Sequence, residues 1–129
     1  MNALIITDTS AGYAASVGLF AAYFNPIACV DFRLVNQALR NLTPLASSAP
    51  DLVVLDIMSS PTKCLAIVAR LRAVFPRARI LVQRQLKPMN FDYLAELVGA
   101  HCIADIRNAD VSGVKVMLDA VLSGNITKR

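Results

Sequence analysis

Histidine and cysteine are scarce in this sequence, and long stretches carry charge of only one sign or none. Each scarcity closes off a class of function. A single histidine, His101, with no paired Cys/His spacing, gives no zinc site. The three cysteines, Cys29, Cys64 and Cys102, are isolated, odd in number and set in apolar segments. That is the usage of small buried hydrophobes in a reducing cytoplasm, not of a disulfide framework. No basic region precedes the apolar start, and Asp8 follows at once, so no signal peptide is expected. From Thr9 to Val30 no residue is charged, a length sufficient to span a bilayer. Asn25-Pro26 interrupts that stretch, however, and Ala, Gly and Ser outnumber Leu and Ile, so no membrane span is expected.

Acidic residues are absent between Asp56 and Asp92, where Lys63, Arg70, Arg72, Arg77, Arg79, Arg84 and Lys87 all fall. The net charge of +4 is therefore concentrated there. It reads as a solvated helix face, or as a docking surface for an acidic partner or nucleic acid.

What the chain does have is apolar residues: 56% of the 129, with a mean hydropathy of +0.53. This is enough for one domain with a single core and no covalent staples. It also leaves room for apolar surface covered by a partner.

The centre of the pattern is Pro50-Asp51-Leu52-Val53-Val54-Leu55-Asp56-Ile57-Met58, a short apolar run bounded by Ser/Pro-rich loops. Such a run reads as a strand buried on both faces, in the middle of a parallel sheet. Further strands are expected at Ala3–Ile6, Ile27–Phe32, Arg79–Val82 and Cys102–Ile106. Helices are expected over 10–24, 33–42, 61–75, 91–98 and 110–122. Pro76 stops the third, Gly99 caps the fourth, and Asp110 opens the fifth. Leu65, Val68, Ala69 and Leu71 should face inward from the third; Val111, Val114, Leu118 and Val121 should do so from the fifth. The uncharged 10–24 helix and the spare apolar residues Val116, Met117 and Ala120 suit an intermolecular contact.

Five strands alternating with five helices specify an α/β fold, a (βα)5 doubly wound parallel sheet of order 2-1-3-4-5. Its ligand crevice lies beyond the carboxyl ends of the first and third strands, which sets Asp8 beside Asp56. Two adjacent carboxylates suit a divalent cation, a shared proton, or a neutralising cation nearby.

The run Pro50–Asp56, together with Leu65 and Leu71-Arg72-Ala73-Val74-Phe75-Pro76-Arg77-Ala78-Arg79-Ile80-Leu81-Val82, resembles a response-regulator receiver (CheY-like) domain. The likeness is to receivers that precede LuxR/NarL-type DNA-binding domains, and it covers 1–124, with 125–129 as the start of a linker or tail. It implies that Asp56 is the phosphoacceptor for a histidine kinase. It also implies that Asp8, Asp56 and the Met58 carbonyl hold Mg²⁺, with no other cofactor and no enzymatic turnover. The resemblance is atypical. Thr7 stands where a second acid is usual, Arg84 where a hydroxyl ends strand four, and Ile106, followed by Arg107, where a lysine ends strand five. Cys64 replaces a usual glycine, and Lys87-Pro88 imitates the family's Lys-Pro pair at the wrong strand. Arg84 is the residue expected to reach Asp56 or Asp8 in place of Mg²⁺.

The expected function is thus a cytoplasmic regulatory and homodimerisation module with weak or absent phosphorylation control. DNA contact would come only through a domain not in this chain. The alternatives are a fully phosphorylatable receiver and a small-nucleotide or flavin module. The latter reading draws on the hydroxyl-rich Thr7–Gly12 loop and on Arg107-Asn108-Ala109-Asp110, which has the Arg-x-x-Asp spacing of cyclic-di-GMP sites.

Overall fold

The structure, a computed structural model, describes residues 2–8, 29–34, 50–87, 89–108 and 110–122. Strands β1 (Asn2–Thr7), β2 (Cys29–Leu34), β3 (Leu52–Asp56), β4 (Arg79–Gln83) and β5 (Cys102–Ala104) form one five-stranded sheet in the order β2-β1-β3-β4-β5. Every neighbouring pair is parallel. Helices α1 (Pro61–Val74), α2 (Phe91–Val98) and α3 (Val111–Leu122) cover it. The doubly wound sheet and its strand order are those expected.

Alternation along each strand divides the core in two. Leu4, Ile6, Val53, Leu55, Ile80 and Val82 pack on one side with Cys64, Ile67, Val68 and Leu71 of α1 and Phe91 and Ala95 of α2. Ile5, Leu52, Val54, Leu81 and Cys102 face the other side, against Val114, Leu118 and Val121 of α3. A strand covered on both faces must be apolar at every position, which is why β3 reads as an unbroken run.

Helix ends follow local chemistry. The Ser60 hydroxyl accepts the Lys63 amide at 3.2 Å, and Pro61 takes the first helical position, where its missing N–H costs nothing. The inward stripe of α1 is Cys64, Ile67, Val68 and Leu71, the i, i+3, i+4, i+7 set. Ala69, expected inside, is exposed, and Leu65 is half-buried at the core's edge. Lys63 and Arg70 lie on the solvent side of α1, with Arg77 exposed beyond it.

At the end of α2, Gly99 adopts φ +126 and donates to Ala95 and Glu96, both at 3.1 Å. The Arg72 side chain lies over it, so a Cβ there would meet Arg72 Cγ at 2.1 Å. Asp110 caps α3 by accepting the Gly113 amide at 2.8 Å.

Two strand boundaries differ from expectation. β2 pairs residue for residue with all of β1 and ends two residues later than expected, so Arg33 and Leu34 are strand rather than helix. β5 stops at Ala104, because the Ile106 amide turns back to the Ala104 carbonyl at 3.1 Å. The helix expected over 10–24, the rest of the one expected over 33–42, the Val111 side chain, Pro88 and the 125–129 tail lie outside the described residues. Cys64 and Cys102 are free thiols in the core, as expected. No described helix is long and apolar enough to cross a membrane.

Candidate functional site

Thr7 pairs with Asp56 across β1 and β3, so Asp8, one residue further on, reaches the same end of the sheet. Asp56 is buried, with only 3% of its side chain exposed. Asp8 is covered by the loop that follows β3. Its Oδ2 accepts the amides of Met58 and Ser59, each at 2.9 Å. Burial alone would raise the Asp8 pKa. The two amides, the Ser59 hydroxyl and the charge of Arg107 outweigh burial and hold it below the usual carboxylate value.

The two acids are bridged by one side chain. Arg107 Nε donates to Asp56 Oδ1 at 2.5 Å, and Arg107 Nη2 donates to Asp8 Oδ1 at 3.3 Å. One planar guanidinium therefore spans both carboxylates, an arrangement a flexible ammonium cannot fix so rigidly.

Arg107 is held from below. Gln83, buried at the end of β4, accepts the Arg107 backbone amide on Oε1 at 3.0 Å. Its Nε2 donates to Asp105 Oδ1 at 3.0 Å and to the Arg84 carbonyl at 3.2 Å. Asn108 donates to Asp105 Oδ2 at 2.7 Å; this bond, and then Gln83's, pull the Asp105 pKa down. Gln85 donates to the carbonyls of Ile57, at 2.5 Å, and Gln83, at 3.2 Å, so the β3 and β4 ends are tied together.

Arg84, expected to reach the acids, does not. Its Nη2 donates to the Ile103 carbonyl at 3.1 Å and its Nε lies 3.6 Å from Asp92 Oδ2. Among the described residues, the cation in the cleft is Arg107. Ile106 turns into the core under α3, 2% exposed, and the alternation of the turn sends Arg107 the opposite way. Thr7 is fully buried. Arg107 stood out in the sequence only as the neighbour of Ile106 and as half of an Arg-x-x-Asp spacing. Gln83 and Gln85 were missed. Their signal was two long amides flanking Arg84 just where the apolar run of β4 ends.

Of the three residues proposed to hold Mg²⁺, Asp8 and Asp56 are brought together, and Met58 contributes its N–H to Asp8. As arranged, these groups do not fit a divalent ion. Asp8 Oδ2 already takes two amides, and the Oδ1 atoms of both acids face the same guanidinium. Among the described residues, no group of three or more His, Cys, Asp or Glu side chains could hold a metal ion. Of the Arg-x-x-Asp spacing, Arg107 lies on the two acids and Asp110 caps α3.

No protein-family model matches the sequence, and neither does any curated protein. Solved structures do match. The LuxR-family two-component response regulator from Aurantimonas sp. SI85-9A1 aligns with a TM-score of 0.72 and 17% identity, over 98% of this chain and 88% of that one. The receiver domain of NtrX from Brucella abortus aligns with a TM-score of 0.68 and 16% identity, over 94% and 98% respectively. This is the receiver fold. The response regulator ChrA of a heme-sensing two-component system aligns over 99% of this chain with a TM-score of 0.67 and 15% identity. The chain spans 59% of ChrA and 26% of a longer NtrX chain. On the receiver fold, the site described here occupies the crevice at the carboxyl ends of β1 and β3, where ligands of doubly wound sheets lie.

Proposed function

We propose that the chain is an atypical receiver domain of a two-component or phosphorelay protein, acting as a non-enzymatic regulatory and dimerisation module with weak or absent phosphorylation control. The observation that carries this reading is the guanidinium of Arg107 lying on Asp56 and Asp8 at once. An incoming phosphoryl group would have to displace a charge-assisted pair, and Ile106 offers no cation to hold the product. A state change requires differential interaction with the two states, and little remains here to supply it. Exposed apolar residues support self-association: Tyr93 and Leu97 one turn apart on α2, Leu86 and Met89 before it, and Val116 on α3. The output would be transcriptional, through a DNA-binding domain outside this chain, in the cytoplasm.

The second reading, a receiver phosphorylated at Asp56 by a histidine kinase, is favoured by the placement of Asp8 and Asp56 in one cleft. Incubation with a small phosphodonor and Mg²⁺, followed by intact mass and sedimentation, separates the two. The expected result is no phosphoryl adduct and an assembly state identical to that of Asp56→Asn. An adduct lost in Asp56→Asn and accompanied by a change in assembly would establish the second reading instead.

A further inference from the structure

We propose that Arg107 is the resident cation of this cleft, occupying the place of a divalent ion and masking a latent oxygen-donor cation site formed by Asp8 and Asp56. The inference rests on the reading above but concerns cation binding, which can be measured separately from assembly or phosphorylation.

The two acids supply two negative charges with little solvent to screen them: 3% of the Asp56 side chain and 9% of the Asp8 side chain are exposed. Some cation must offset them. A hard divalent ion binds carboxylate oxygens directly and keeps waters on its remaining positions. Here the Oδ1 atoms that converge from the two acids already receive Nε and Nη2 of one guanidinium. An ion placed on those oxygens would face a fixed positive charge in van der Waals contact. Asp8 cannot turn its other oxygen to the ion without breaking the two amide bonds at 2.9 Å.

The arginine is also tethered. Gln83 fixes its backbone amide, and Asp105 and Asn108 brace the same loop. A cation attached to the chain competes at high effective concentration against one that must come from solution. Removal of the guanidinium should leave two converging carboxylate oxygens and a water-accessible opening, since 40% of the Arg107 side chain faces solvent.

The test is Mn²⁺ titration by calorimetry, with thermal unfolding measured with and without Mg²⁺, on the native chain and Arg107→Ala. Native protein should bind neither ion and show an unchanged Tm at roughly a hundredfold excess over a millimolar site. Arg107→Ala should bind Mn²⁺ and gain roughly 8–13 °C of Tm with Mg²⁺, on the order of what ligand linkage gives at that excess. Adding Asp56→Asn to Arg107→Ala should abolish both effects. If Arg107→Ala is unfolded alone, recovery of its circular dichroism on adding Mg²⁺ supports the proposal, and failure to recover overturns it. Native binding within a few-fold of the variant's affinity overturns it too, as does a folded variant that binds no ion. A native chain that binds Mg²⁺ yet assembles without regard to phosphodonor would refute this inference alone and leave the proposed function standing.

Discussion

Breaking the bridge from either side should show that Arg107 and Asp56 stabilise the fold as a pair. Removing one partner of a fully buried pair costs about 3–5 kcal/mol, whereas an exposed pair is worth about 0–1 kcal/mol. Arg107 has 40% of its side chain in solvent and Asp56 only 3%, so the pair lies between these limits. Arg107→Ala strands a buried carboxylate and should cost about 2 kcal/mol. In a domain of this length that is a Tm loss of roughly 6–10 °C. Asp56→Asn leaves Arg107 free to turn outward, and the amide oxygen can still accept Nε, so its cost should be about 1 kcal/mol. With both changes there is no charge to strand, and the total should stay near ~1 kcal/mol instead of the ~3 kcal/mol an additive pair would give. Urea denaturation followed by circular dichroism at pH 7 measures all four corners. Single costs that add to within about 0.5 kcal/mol would refute the claim that the guanidinium neutralises Asp56.

Other predictions concern groups away from the cleft. Gly99→Ala should destabilise by about 1–3 kcal/mol, because φ +126 disfavours any side chain and the new methyl would strike Arg72. Pairing it with Arg72→Ala should recover only the steric part of the loss in urea melts, and full recovery would count against backbone strain. His101 is kept neutral by burial first and by Arg72 and Arg79 next, so its folded pKa lies below the unfolded value of 6.5. Stability should therefore be complete above about pH 6.5 and decline as pH falls toward the folded pKa, since the unfolded chain binds the proton more readily. His101 Nδ1 accepts the Ile80 amide at 3.0 Å, and His101→Gln should flatten urea-melt stability between pH 7 and pH 5; stability that rises on acidification would contradict the assignment. Burial pushes the Cys64 thiol up to about 12, so alkylation of Cys64, read by peptide mass, should await global unfolding. Labelling under native conditions at the rate of an exposed thiol would disprove this.

The meeting of Asp8 and Asp56 was legible in the sequence because both acids end apolar runs, and a parallel sheet aligns the ends of its strands. The core followed from the same runs. What was not legible was which arginine would complete the cleft. Arg84 and Arg107 both lie near carboxyl ends of strands, and their identities alone do not separate them. The choice depends on a two-residue difference in the length of β5. Ala104 ends the strand, the turn carries Ile106 beneath α3, and the next side chain is thrown toward the acids. A hydrophobe immediately before an arginine at that turn was the available clue. The shift in the α1 stripe has a similar cause: Leu65 and Ala69 form, with Val68, a stripe nearly as apolar as the one that Cys64 and Ile67 complete.

The contacts of Arg107 join positions far apart along the chain, 51 residues to Asp56 and 99 to Asp8. Closing loops of that size is entropically costly, so such contacts form once the intervening elements have docked. The guanidinium is therefore a late fastening on an almost finished molecule. Its loss should hasten unfolding far more than it slows refolding, and the domain's lifetime, not its ability to find its shape, is what this residue sets.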